Sequence, residues 1–112
     1  MTLKIIDLPK DFSPYPAGRD RADGRWSAEA FREDLLVPAL RIGGGVQVQL
    51  DGAFGYGSSF IEEAFGGLVR VDHFDLVDLE RRLEITCNED PTLVDEAWEY
   101  IRDAAKSRHR MT

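Results

Sequence analysis

The spacing of hydrophobic positions changes several times along this chain, and each change predicts an element. Thr2 to Leu8 reads as a strand with Leu3, Ile5 and Ile6 as its apolar positions, and Pro9 ends it by withholding a backbone donor. After an irregular stretch, Ser27 is a candidate N-cap for a helix in which Phe31, Leu35, Leu36 and Leu40 recur at helical spacing, with Glu29, Arg32, Glu33 and Asp34 on the other side. Pro38 should kink or end that helix, and the triple glycine Gly43 to Gly45 stops it. Val46, Val48 and Leu50 then alternate with Gln47, Gln49 and Asp51, the clearest period-two strand in the chain and one expected near the sheet centre.

The second half repeats the alternation. Beyond the loop Gly52 to Gly57, the residues Phe60, Ile61, Ala64, Phe65 and Leu68 form the apolar stripe of a second helix. Ser59 with Glu62 three residues later fits a capping box at its start. Gly66-Gly67 inside this helix costs roughly 1 kcal/mol per residue relative to alanine, so the pair needs a packing reason, such as close approach to another backbone or to a partner. Asp75 to Arg82 reads as a short helix, and Leu83, Ile85 and Cys87 as a strand. Asp90 and Pro91 start a last helix, with Leu93, Ala97, Trp98, Ile101, Ala104 and Ala105 on its apolar face. The alternation predicts a single α/β domain over residues 1–112, a mixed β-sheet with helices packed on it.

Residues 9–26 are the longest irregular segment, with Pro14, Pro16, Gly18 and Asp23-Gly24 interleaved with Phe12, Tyr15 and Trp26. Those aromatics predict a loop packed on the domain, with a short hairpin turning at Asp23-Gly24. Residues 107–112 read as a mobile C-terminal tail.

Composition narrows the function. A net charge of −7, with no contiguous basic patch, argues against nucleic acid as a partner. The apolar runs are too short to span a bilayer and Met1 to Lys10 does not read as a signal peptide, which leaves the cytoplasm as the expected compartment. Catalytic signals are weak. His73 and His109 are isolated, Cys87 reads as a small core residue, and no serine sits in a Gly-x-Ser-x-Gly elbow. Glu62 and Glu63 read as capping and solvated carboxylates, and Asp51 as a turn residue near a helix start. No catalytic residue, metal site or cofactor is expected.

The run Gly55 to Arg70, GYGSSFIEEAFGGLVR, read with FREDLLVPALR at Phe31 to Arg41 and NEDPTLVDEAWEYI at Asn88 to Ile101, resembles the STAS-like family of bacterial proteins of uncharacterised function. The resemblance spans roughly Phe12 to Ala105 and implies a STAS-like fold. STAS domains include anti-sigma factor antagonists, in which a serine at the start of a helix is phosphorylated by a partner kinase. By position, Ser58 or Ser59 is the counterpart, although Gly57 stands where that pattern has an acid and Phe60 where it has a small residue.

The resemblance therefore implies a non-enzymatic, regulatory protein-interaction domain that works by partner switching, with a kinase-like ATP-binding protein as partner. Its contact edge would run from Asp51 to Phe65, with Asp51, Gly57 and Phe60 as contact residues. Two alternatives stand beside it. In one, the loop 12–26 lies over Ser58-Ser59 and binds a small ligand or anion through Arg19, Arg21 or Arg25. In the other, Gly66-Gly67 permits close helix contact in a homo-oligomer.

Overall fold

The computed structural model describes residues 2–110, with the side chains of 2–108. Three strands, β1 (Leu3–Asp7), β2 (Gly45–Gln49) and β3 (Leu83–Thr86), lie side by side in chain order. Both pairings are parallel, with Ile6 opposite Val48 and Val48 opposite Ile85. The expected α/β fold is present, and the sheet is parallel rather than mixed among the described residues. β1 and β2 are each followed by a helical crossover to the next strand, the connection that parallel neighbours require. The crossovers are α1 (residues 28–42), α2 (58–70) and α3 (Leu76–Arg82), and α4 (Thr92–Arg110) closes the chain.

One face of the sheet carries the core. Ile6, Val46, Val48, Leu83 and Ile85 are buried against Phe31, Leu36, Leu40, Phe60, Phe65, Leu68 and Ile101. The other face is open, and a polar ladder crosses it: Gln49 Nε2 donates to Gln47 Oε1 at 2.8 Å, and Gln47 Nε2 to Glu84 Oε1 at 2.6 Å. The facing of the first strand, which its apolar positions left open, is thereby decided. Ile6 faces the core, whereas Leu3 and Ile5 are 58% and 49% exposed. The apolar pair Ile5-Ile6 put one residue on each face, and the continuation of the chain into buried Leu8 decides which one is inside.

Pro38 does not break α1. The helix runs through it to Ile42, because residues Arg32–Leu36 widen into a π turn just before the proline. A second π turn, Glu62–Gly66, lies within α2. The 9–26 segment packs on the domain as expected. Phe12 meets Trp26 and Phe31 edge-on, with ring centroids 5.4 and 5.5 Å apart. The expected hairpin is instead a 3-10 turn, Arg21–Asp23, because the Asp23 carboxylate accepts from the backbone N–H groups of Arg19 and Asp20 and folds the chain back locally. Residues 107–110, expected as tail, continue α4; the His109 side chain and Met111-Thr112 lie outside the described residues. No helix among the described residues is long and apolar enough to cross a membrane.

The turn after α2 is closed by Phe74 N–H donating to the Leu68 carbonyl at 2.9 Å. The left-handed position this closure needs is taken by exposed His73, at φ 63°. Glycine is the usual residue there, so His73→Gly should raise stability by up to about 1 kcal/mol, whereas a β-branched His73→Val should lower it by more. Urea midpoints of the two variants check this.

Candidate functional site

Two groups of residues meet at α2. The first is a buried ionic network. Arg32 stands in the i, i+4 row Ala28–Arg32–Leu36–Leu40 of α1 and is only 1% exposed. A guanidinium removed from water needs a partner for nearly every N–H, or it costs several kcal/mol. Arg32 Nε donates to Asp72 Oδ2 at 2.9 Å, and Nη1 donates to the Glu63 backbone carbonyl at 2.9 Å and to the Glu63 carboxylate. Glu63 also accepts from Arg70 Nη2 at 2.9 Å and from Arg19 Nη1 at 3.3 Å. Glu62 accepts from both Arg19 and Arg70. Three arginines thus face three carboxylates with no net charge, and no buried side-chain polar atom among the described residues lacks a partner.

This network explains the glycine pair. A methyl on Gly67 would lie 2.6 Å from Arg32 Nη1, and one on Gly66 would lie 2.7 Å from Glu62 Oε2 and 3.4 Å from the Tyr100 carbonyl. Gly66-Gly67 is therefore the floor on which the guanidinium and the Glu62 carboxylate rest. Both glycines are buried, so the pair does not form the oligomer surface anticipated for it. Arg32 is not on the solvated side of α1, and Glu62 and Glu63 are neither caps nor solvated.

The second group is the rim at the carboxyl ends of the strands. Gly57, not Ser59, is the N-cap of α2, and it offers no side chain. Ser58 and Ser59 occupy the first two helical positions, both exposed, and the Ser59–Glu62 capping box is absent because Glu62 is turned toward Arg19 and Arg70. Phe60 is 1% exposed and packs beside Tyr56 and Phe31, so it belongs to the core rather than to a contact edge. Asp51 accepts from the backbone N–H groups of Asn88 and Glu89 at 3.0 and 2.7 Å, while Glu89 accepts from Gly52 N–H at 2.7 Å. This reciprocal staple joins the loops after β2 and β3. Those two backbone donors hold the Asp51 carboxyl below its usual range.

The arginines of the loop do not converge on the serines. Arg19 is paired with Glu62 and Glu63, Arg21 with Glu33 and Asp34, and Arg25 lies over the Trp26 ring at 4.8 Å. The loop contributes something else. Tyr15 stacks on Phe54 at 4.8 Å and 7°, with Phe54 N–H held by the Pro14 carbonyl at 2.9 Å, and the two rings are 61% and 78% exposed. Sequence spacing gave no sign of this pair, since 39 residues separate its members. Burial pushes the Cys87 thiol up, and burial pushes up the Tyr56 phenol, which donates to the Leu50 carbonyl at 2.8 Å.

Residues 27–93 match the model of a family described as STAS-like domain of unknown function (DUF4325), and the chain belongs to that family. The matched span contains Arg32, Glu62, Glu63, Arg70, Asp72 and both serines, and leaves Arg19 outside. No curated protein and no solved structure matches the chain.

Removing Arg32 would strand Glu63 and Asp72 without their buried cation, so Arg32→Met should destabilise by about 3–5 kcal/mol, read from denaturant unfolding. Gly67→Ala should destabilise by about 1–3 kcal/mol, although helix propensity alone favours alanine, and the penalty should shrink when Arg32 is also shortened, in a double-mutant cycle. For Glu62, burial alone would push the carboxyl up, but hydrogen bonds from Arg19 and Arg70 win and hold it below the ordinary 4.5. Its contribution to stability is then complete above that value and lost as pH falls through the lowered folded-state value. Glu62→Gln should therefore show a shallower loss of stability in the acid limb of a pH titration than the native chain.

Proposed function

We propose that this STAS-like domain is a non-enzymatic, cytoplasmic regulatory module that binds a protein partner through the rim formed by Tyr15, Phe54, Ser58 and Ser59, and that phosphorylation of Ser58 or Ser59 by a kinase-like, ATP-binding partner switches that contact. The observation that carries the reading is that neither serine caps its helix. Gly57 caps the helix, and both side chains are exposed in its first turn, beside unpaired backbone N–H groups and the positive end of the helix dipole. An exposed, stacked aromatic pair leading into that turn supplies the rigid apolar surface on which interfaces concentrate their affinity.

The geometry also supports a mechanism for the switch. Ser58 and Glu62, and likewise Ser59 and Glu63, stand four residues apart on one helix, which makes them neighbours. A phosphate there adds about −1.5 to −2 charges next to two carboxylates. Arg19 and Arg70, both paired with Glu62 through side chains 42% exposed, are the cations that could turn toward the new phosphate, and Arg19 is the one carried by the loop. That turn would loosen the 9–26 loop and with it Tyr15, so modification changes the docking surface without unfolding the helix.

The test uses the full chain as bait in extract from its native host. A partner retained by the native chain and by Ser58→Ala/Ser59→Ala should be lost from Ser58→Asp, Ser59→Asp and Phe54→Ala baits. Incubation with ATP in the same extract should add phosphate to the native chain and not to the double alanine variant, as read by intact mass. Identical partners on every bait, with no phosphate gained, would end this reading.

A further inference from the structure

We infer that α4 is a self-association helix, on which a second copy of this chain packs antiparallel about a two-fold axis near residue 100. This is independent of the rim and its serines. Along α4, Asp95, Glu99, Arg102 and Lys106 follow one another at spacings of four, three and four residues, and all four are exposed. At about 100° per residue they fall within an arc of about 60°, one stripe along the helix.

Within a single helix this stripe is poorly arranged. Asp95 and Glu99 are like charges at i, i+4, and so are Arg102 and Lys106, both repulsive pairings. None of the four forms an ion pair among the described residues; Arg102 lies instead over the Trp98 ring at 5.9 Å. The helix dipole accounts for acids early and bases late. It does not account for what borders the basic half, a groove of about 580 Å³ floored by Val69, Phe74, Leu76 and Val77, with Arg102, Lys106 and Arg108 on the α4 side and Asp75 on the other. Val77 is 66% exposed.

An antiparallel copy resolves both features. Any pairing whose opposed residue numbers sum to 201 sets Asp95 against Lys106 of the other copy and Glu99 against Arg102, and the two-fold repeats each pair. Every repulsive i, i+4 neighbour then gains an opposite charge. The same operation lays the acidic first turns of one copy beside the basic half of the other. Trp98 of the second copy, on the groove side of the stripe, then lies toward Val77 and Leu76. A uniformly acidic helix would satisfy the basic half alone and leave Asp95 and Glu99 unmatched, whereas a second copy matches all four charges.

Light scattering on the full chain across a dilution series should give twice the 12.6 kDa of one chain at the concentrated end. Arg102→Glu/Lys106→Glu and Asp95→Lys/Glu99→Lys should each weaken self-association at least about tenfold while keeping the native circular dichroism, and mixing the two variants should restore the doubled mass. That rescue is beyond the reach of a misfolded variant. A native chain that stays at one-chain mass, charge variants that dimerise undiminished, or a mixture that fails to recover would each overturn the assignment.

Discussion

The buried guanidinium of Arg32 is the constraint from which most of the local structure follows. A cation at 1% exposure cannot be left with a single partner, and the surroundings are built around its donors. Glu63 and Asp72 supply carboxylates from two different segments, and the Glu63 carbonyl supplies a further acceptor. The two π turns begin at Arg32 and at Glu62, the latter one residue before the Glu63 that Arg32 holds. Gly66 and Gly67 stay free of side chains because the guanidinium and the Glu62 carboxylate occupy that space. Arg19 then extends the network to the long loop, so the loop's place on the domain depends on the same balance of charge.

That balance leaves the serines free. If Glu62 reached back to the start of its helix, as in a capping box, Ser59 would be occupied and its hydroxyl tied to the backbone. Drawn instead into the arginine network, Glu62 leaves the cap to Gly57, a residue with no side chain to contribute. The structural requirement at Arg32 and the availability of Ser58-Ser59 are thus linked through one carboxylate. A network of fully satisfied charges is also a place where one added charge has large consequences, because every member is already shared.

Much of this was legible in the sequence. Alternation at Val46, Val48 and Leu50 marked the central strand, and the stripes through Phe65 and Leu68 and through Ala97 and Ile101 marked the packed faces of α2 and α4. The runs that carried the resemblance fall largely within the family match at residues 27–93. The failures around the arginine network share one physical origin, polar residues treated as solvated or capping ones. Arg32 lies in an i, i+4 row with Ala28, Leu36 and Leu40, a signal that its charge alone obscured. Gly66-Gly67 correctly called for a close neighbour, but that neighbour is a side chain from 35 residues earlier, which no local pattern reveals. Ser59 was misread as a cap for the same reason, since Glu62 has partners at Arg19 and Arg70 that only the tertiary fold brings near. The Tyr15–Phe54 stack had no sequence signal at all.

The placement of α4 relates the two proposed surfaces. The helix starts after the loop that follows β3, at the same end of the sheet as Ser58, and its 19 residues carry it about 28 Å toward the opposite end. Ser58 stands beside the Tyr100 phenol on one flank of α4, whereas Trp98 and the stripe from Asp95 to Lys106 occupy the other. A partner at the serine rim and a second copy along the stripe therefore meet different sides of one helix. Two chains joined through α4 would present two rims related by a two-fold axis, and a partner that is itself dimeric would engage both with an avidity neither rim has alone. On this arrangement a phosphate at both rims would weaken the doubly engaged assembly by the product of the two single-contact losses, whereas a phosphate at one rim would cost only the loss at that contact.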